Sequence, residues 1–138
     1  MAVQTREKPK VGDRIVHKEF PPISRHTLAL YCGASGDHNP MHVDIDFARK
    51  AGFPDVFSHG MLVMAYLGQA LTDAVRPDKI RSFSARFAAI TQLGAKLTCE
   101  GTVTELFEAD GEKRARLALA AKDKTGETKL AGEAVVAL

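Results

Sequence analysis

The sequence predicts an α+β fold in which a long antiparallel sheet curls around one buried helix. Two observations carry that expectation. From Met61 to Leu71 almost every position is apolar or small on all sides, Gln69 being the exception, which is the pattern of a helix wrapped by other structure. After Pro77 the pattern switches to period two in "KIRSFSARFAAI", "AKLTCEGTVTELFEA", "KRARLALAAKD" and "TKLAGEAVVAL", divided by turn signals at Gly94, "ADGE" and "KTGE". Strands that follow one another so closely predict an antiparallel meander.

The first half of the chain supplies the remaining elements. "VGDRIVHKEF" alternates as a strand does, and Pro21-Pro22 ends it. Ser24 is placed to cap a helix through "RHTLALYCGAS", with Leu28, Leu30 and Tyr31 as its apolar contacts and Gly36 as its stop. Asp44 caps a second, short helix, "IDFARKA", closed by Gly52. "FPDVFSHG" is then a loop that leads into the central helix.

At 138 residues the chain is the size of one domain, and it reads as a single domain over 1–138 whose first ten residues form a polar tail. A content of 45% hydrophobic and 26% charged residues is that of an ordinary folded protein, so no segment is expected to be disordered by composition. The formal net charge of +2 is spread along the chain, and without a basic block nucleic acid is excluded as the expected partner. Cys32 and Cys99 form no CxxC pair and read as core thiols in a reducing compartment. The opening "MAVQTREKPKVGD" lacks the apolar stretch of a secretory signal. No apolar run approaches the ~20 residues needed to span a membrane, so a cytoplasmic protein with no membrane partner is expected.

The chemistry concentrates in "SGDHNPMHVD", Ser35 to Asp44. Asp37 and His42 would lie well apart around an unbroken helix, but Asn39-Pro40 forces a turn between them, so the two groups can face one point. A carboxylate and an imidazole facing one point can hold and activate a water. Spacing alone leaves a plainer reading open, with Asp37 and Asn39 as turn residues and His42 as a half-buried histidine. The second stretch is "SHGM", Ser58 to Met61: free N–H groups and the positive end of the helix dipole meet there, and Gly60 lets a ligand approach the backbone. Ser58 as an ordinary cap and Gly60 as packing space is the plainer reading of that stretch. His17 and His26 read as surface residues, His38 as pointing away from Asp37, and His59 as shaping the loop before Gly60. His and Asp are metal-ligand types, but a third or fourth ligand is not evident, so no metal is expected.

Together, "SGDHNPMHVD" and "FSHGMLVMAYLG" resemble the hydratase signature of the MaoC-like, (R)-specific enoyl-CoA hydratases and 3-hydroxyacyl-thioester dehydratases, which have the hot dog fold. The resemblance runs from "VGD" to the closing "GEAVVAL". It implies that Asp37 and His42 are the catalytic pair and that Asn39 supports the loop. It implies that the Gly60 N–H polarises a thioester carbonyl, with His59 and Met61 beside it as substrate-binding positions. The implied reaction is reversible hydration of a trans-2-enoyl thioester to an (R)-3-hydroxyacyl thioester, with no cofactor apart from the coenzyme A or acyl carrier that bears the substrate. Lys79, Arg81 and Arg86 are available to meet either carrier.

Two departures stand out. Gly68 replaces a serine that some members carry, and "AAITQLG" follows Arg86-Phe87 where a proline-rich turn is common. A hot dog thioesterase would use a similar carboxylate and helix N-terminus, and a non-catalytic acyl-thioester-binding subunit of an unequal pair is a further alternative. The intact Asp37 and His42 favour the hydratase. A homodimer or dimer of dimers is expected, because the sheet leaves an edge strand and the acyl pocket open.

Overall fold

Arg14–Glu19 forms β1, and its alternation buries Val16 completely while His17 faces solvent. The computed structural model to which this strand belongs describes residues 8–138; positions 1–7 of the expected tail lie outside the described residues. After the exposed Pro21 and Pro22 the Ser24 hydroxyl accepts the Thr27 N–H at 3.1 Å, capping α1 (Arg25–Ser35) as expected. Asp44 likewise caps the short α2 (Ile45–Lys50) through the Asp46 and Phe47 N–H groups. The long α3 spans Gly60–Ala74 and leads through a single 3-10 turn, Pro77–Lys79, into the sheet strands.

β2 (Ile80–Phe87), β3 (Thr98–Ala109), β4 (Glu112–Lys122) and β5 (Thr128–Ala137) complete a five-stranded antiparallel sheet in the order β1-β3-β4-β5-β2. The expected four-strand meander is therefore wrong at its first step. β3, β4 and β5 are joined by tight turns, but β2 pairs with β5 at the far edge and never touches β3. The Ala88 N–H continues the β2–β5 pairing onto the Lys129 carbonyl, so the chain must then cross to the opposite side of the sheet to start β3. The crossing segment is packed into the structure: Leu97 is fully buried, the Gly94 N–H donates to the Ile23 carbonyl at 2.7 Å, and Gln92 bridges Phe57.

The sheet wraps α3, which touches all five strands. Leu62, Val63, Leu67, Ala70 and Leu71 point into a core shared with Leu28, Leu97, Leu117, Leu119 and Leu130. The expectation that this helix is covered on every side needs correcting. Met61, Ala65, Gln69 and Thr72 recur at helical spacing on an outward face, and Met61 is 54% exposed, so apolar composition overstated the wrapping in one chain. Among the described residues no helix is long and apolar enough to cross a membrane.

Leu67 sits at the centre of the contact between helix and sheet and is fully buried. Leu67→Ala is expected to reduce unfolding free energy by about 2–5 kcal/mol, the sum of lost burial and an unfilled cavity. Urea unfolding curves for the two proteins check it.

Candidate active site

The turn between α1 and α2 is built from side chains that cap the backbone. Gly36 ends α1 in a left-handed conformation (φ 78°), its N–H donating to the Cys32 carbonyl at 3.0 Å. The Ser35 hydroxyl then accepts the Asp37 N–H at 3.1 Å, the Asp37 carboxylate the Asn39 N–H at 3.2 Å, and the Asn39 side-chain oxygen the Met41 N–H at 3.1 Å. Pro40 opens a one-turn 3-10 helix, Pro40–His42, where its missing N–H costs nothing. Short polar side chains bonding two residues ahead thus make the reversal that the sequence anticipated, and Asn39 acts as a loop support.

That reversal brings Asp37 and His42 together and adds His59. One ligand-type atom from each of the three lies within 4.8 Å of those from the others. His42 is nearly buried, and its Nδ1 stands 2.7 Å from the Phe57 carbonyl. A carbonyl only accepts, so Nδ1 carries the hydrogen, and Nε2 of the neutral ring is left as a bare acceptor. Asp37 remains exposed, with one carboxylate oxygen engaged by the Asn39 N–H.

His59 is the residue whose importance the sequence reading understated. It is 1% exposed, its ring stacks on that of His42 with centroids 3.8 Å apart, and the Tyr31 ring meets it edge-on at 4.8 Å. Its Nε2 donates to the Asp37 main-chain carbonyl at 3.2 Å, with the Cys32 sulfur 3.5 Å away. Cys32, read as a plain core thiol, therefore borders the site. Burial, reinforced by the neighbouring His42, pushes the His59 imidazole below its ordinary pKa, against an opposing pull from Asp37. A third residue of ligand type is thus present after all. The two imidazoles lie 27° from parallel, and His59 Nε2 is already engaged by the Asp37 carbonyl.

A cavity of about 350 Å³ opens beside His42 and is walled by Phe57, Ser58, Gly60, Val63, the loop 87–91 and Lys129. Gly60 is the first residue of α3, so its N–H has no partner within the helix, and the residue lines the same cavity. A Cβ at Gly60 would stand 2.9 Å from the Phe87 ring, which shows how closely that exposed ring covers the helix start. Of the expected site residues only His42 and Gly60 line the cavity; Asp37, Asn39, His59 and Met61 do not, while Phe87, Thr91 and Lys129, which the sequence reading passed over, do. Of the cations proposed for a carrier, Arg81 is held in a two-pronged pair with Glu112 at 2.9 Å.

Comparison with known proteins decides the family. The "MaoC like domain" family matches residues 6–125 of the chain. The chain belongs to that family. This MaoC-like domain is 35% identical over 86 residues to the (R)-specific enoyl-CoA hydratase of Rhodospirillum rubrum, covering 61% of this chain and 60% of that one. It is 38% identical over 113 residues to the fatty acid synthase subunit beta of Aspergillus oryzae, covering 78% of this chain but 5% of that protein. The chain thus spans a small part of the length of some curated relatives. Among solved structures, the (R)-hydratase of A. caviae superimposes with a TM-score of 0.79 at 26% identity, each chain covered to 99%, and an R-hydratase of Pseudomonas aeruginosa with 0.79 at 28% identity, covered to 93% and 81%. The hot dog arrangement implied by the two motifs is the fold of this MaoC-like domain.

A depressed pKa means that the folded domain prefers neutral His59. The stability this preference carries is complete above the unfolded value of about 6.5 and is lost as pH falls through it toward the lower folded value. Urea midpoints of the MaoC-like domain are expected to drop between pH 7.5 and 5 by more than those of His59→Gln. Parallel pH series on both proteins measure the difference, and equal slopes would rule out His59 as the titrating group.

Proposed function

We propose that this MaoC-like domain hydrates trans-2-enoyl thioesters of coenzyme A or an acyl carrier to (R)-3-hydroxyacyl thioesters, and catalyses the reverse dehydration. The observation that carries the reading is the bare Nε2 of His42, at a cavity that also reaches Gly60 at the start of α3, with a ring nitrogen of His42 within 4.8 Å of the Asp37 carboxylate. Asp37 and His42 hold one water between them. His42 Nε2 takes a proton as the hydroxyl forms a bond to C3 of the enoyl group, and the proton is returned to C2, so that one water adds across the double bond. Negative charge gathers on the thioester oxygen during addition and is met by the Gly60 N–H and the positive end of α3. The relatives named hydratase or dehydratase support this class of reaction.

Asp37→Asn and His42→Ala are each expected to lower hydration of crotonyl-CoA, or of the best substrate in an enoyl-CoA and enoyl-carrier panel, by about 10²–10⁴-fold. Melting temperature should change little for Asp37→Asn, whose carboxylate is exposed. Because both residues act on one water, the double variant is expected to be scarcely worse than the poorer single one. Loss of the conjugated thioester absorbance follows the reaction. Multiplicative losses, or release of free thiol in place of hydration, would overturn the mechanism, the latter in favour of a thioesterase.

We infer further that two copies of the chain pair through β2. That strand is a sheet edge with one side unpaired, and Phe87 at its end, with Ile90 just beyond it and Met61 beside the Gly60 that the Phe87 ring covers, leaves apolar side chains 43–54% exposed. Joining two such edges covers them and extends the cavity wall. Light scattering at micromolar concentration is expected to give at least the dimer mass; a monomer at that concentration would refute the pairing.

A further inference from the structure

Lys129 is a buried cation to which the hydration mechanism gives no part. It lies near the start of β5, its side chain is 4% exposed, and it lines the cavity that holds His42. Its ammonium donates to the Ile90 carbonyl at 3.0 Å, pairs closely with the Glu127 carboxylate, and lies 3.5 Å from Asp123. Asp123 is itself fixed, accepting the N–H groups of Thr125 and Glu127 at 2.9 and 3.1 Å in the turn before β5. The main-chain carbonyl of Lys129 also accepts the Ala88 and Ala89 N–H groups at 3.0 and 3.3 Å. One residue therefore grips the segment 88–90 through both its backbone and its side chain.

That segment has a second anchor. The Ser58 N–H donates to the Thr91 carbonyl at 2.8 Å, and Gln92 bridges Phe57, whose carbonyl orients His42. Ala88, Ala89 and Ile90 thus form a short span of cavity wall held at one end by the catalytic side of the fold and at the other by Lys129. The span has no prolines and two alanines, so its own residues restrict the backbone weakly. A buried ammonium is retained in a fold only where its donors are met, and here a wall carbonyl and two carboxylates of one turn meet them.

We propose that Lys129 is a positioning residue for substrate binding: its clasp of Ile90, Glu127 and Asp123 holds the 88–90 wall against the acyl thioester. The inference rests on the reading of this cavity as the thioester site. Loss of the clasp leaves the Thr91–Ser58 bond and the His42–Phe57 bond in place. Binding of substrate then weakens while the chemical step is preserved, the signature of contacts made equally in ground and transition states.

The test uses Lys129→Met, which keeps the length of the apolar stem, and Glu127→Gln, an exposed change that leaves the ammonium in place. Calorimetry with butyryl-CoA, a saturated and unreactive acyl thioester, reads binding without turnover. Lys129→Met is expected to weaken it on the order of tenfold, with KM for crotonyl-CoA rising in parallel and kcat within about threefold of the parent; Glu127→Gln should move both by about threefold in the same direction. If Lys129→Met does not fold, Glu127→Gln alone decides. Unchanged butyryl-CoA binding accompanied only by a lower melting temperature would overturn the proposal, as would a fall in kcat at constant KM. A parent protein that binds butyryl-CoA but fails to hydrate crotonyl-CoA would sink the hydratase reading and leave the clasp to be judged on binding.

Discussion

The hydrogen bond from His42 Nδ1 to the Phe57 carbonyl, at 2.7 Å, is the constraint on which the proposed chemistry depends, because it alone selects the tautomer that leaves Nε2 bare. The strength of that constraint comes from what holds Phe57. Gln92 bridges it, its ring packs against Phe53 at 4.9 Å, and the following Ser58 N–H is tied to Thr91. The Gln92 and Thr91 contacts join the loop before α3 to the segment that crosses the sheet between β2 and β3, while Phe53 braces the loop from within. The sheet order therefore does more than close the core. By sending the chain from one edge strand to the other, it lays residues 88–92 beside the loop that orients His42, the proposed general base.

Much of the local structure was legible in the sequence, for a physical reason that repeats. Ser24, Gly36, Asp44 and the Asn39-Pro40 pair act on atoms within four residues of themselves, so their effect can be read without knowing the fold. Strand neighbours are another matter. Period two records which face of a strand is buried, and it is silent about which strand lies alongside. β2 carries the same alternation whether it pairs with β3 or with β5, and the bonds that decide it, such as Ala88 to Lys129, join residues some forty positions apart. The outward face of α3 was misread for a related cause, since small and apolar residues there look the same whether a strand or another protein molecule covers them.

The site divides along the same line. Asp37, Asn39 and His42 fall in one turn and could be found together, whereas His59 meets Cys32 and Tyr31 of α1 and the Asp37 carbonyl and His42 ring of that turn from a piece of chain remote from both. Lys129 left one signal that was passed over. A lysine flanked by Thr128 and Leu130 in a strand, a few residues after Asp123 and next but one to Glu127, is a cation supplied with local counter-charges, as a buried lysine needs.

His59 shows how the fold resolves a conflict between packing and chemistry. Its Nδ1 is buried without a hydrogen-bond partner, a defect that costs roughly 1–3 kcal/mol in a protein interior. Phenylalanine would remove that defect and keep the stack on His42, but it would leave the Asp37 carbonyl without its donor. Glutamine would keep a donor but lose the flat ring that lies 3.8 Å from His42. The imidazole combines a flat ring with an N–H, which neither of those replacements does, and holding it neutral avoids placing a positive charge against the face of the proposed general base. The unpartnered nitrogen is thus the consequence of one side chain touching both members of the proposed pair, just before the helix start at Gly60.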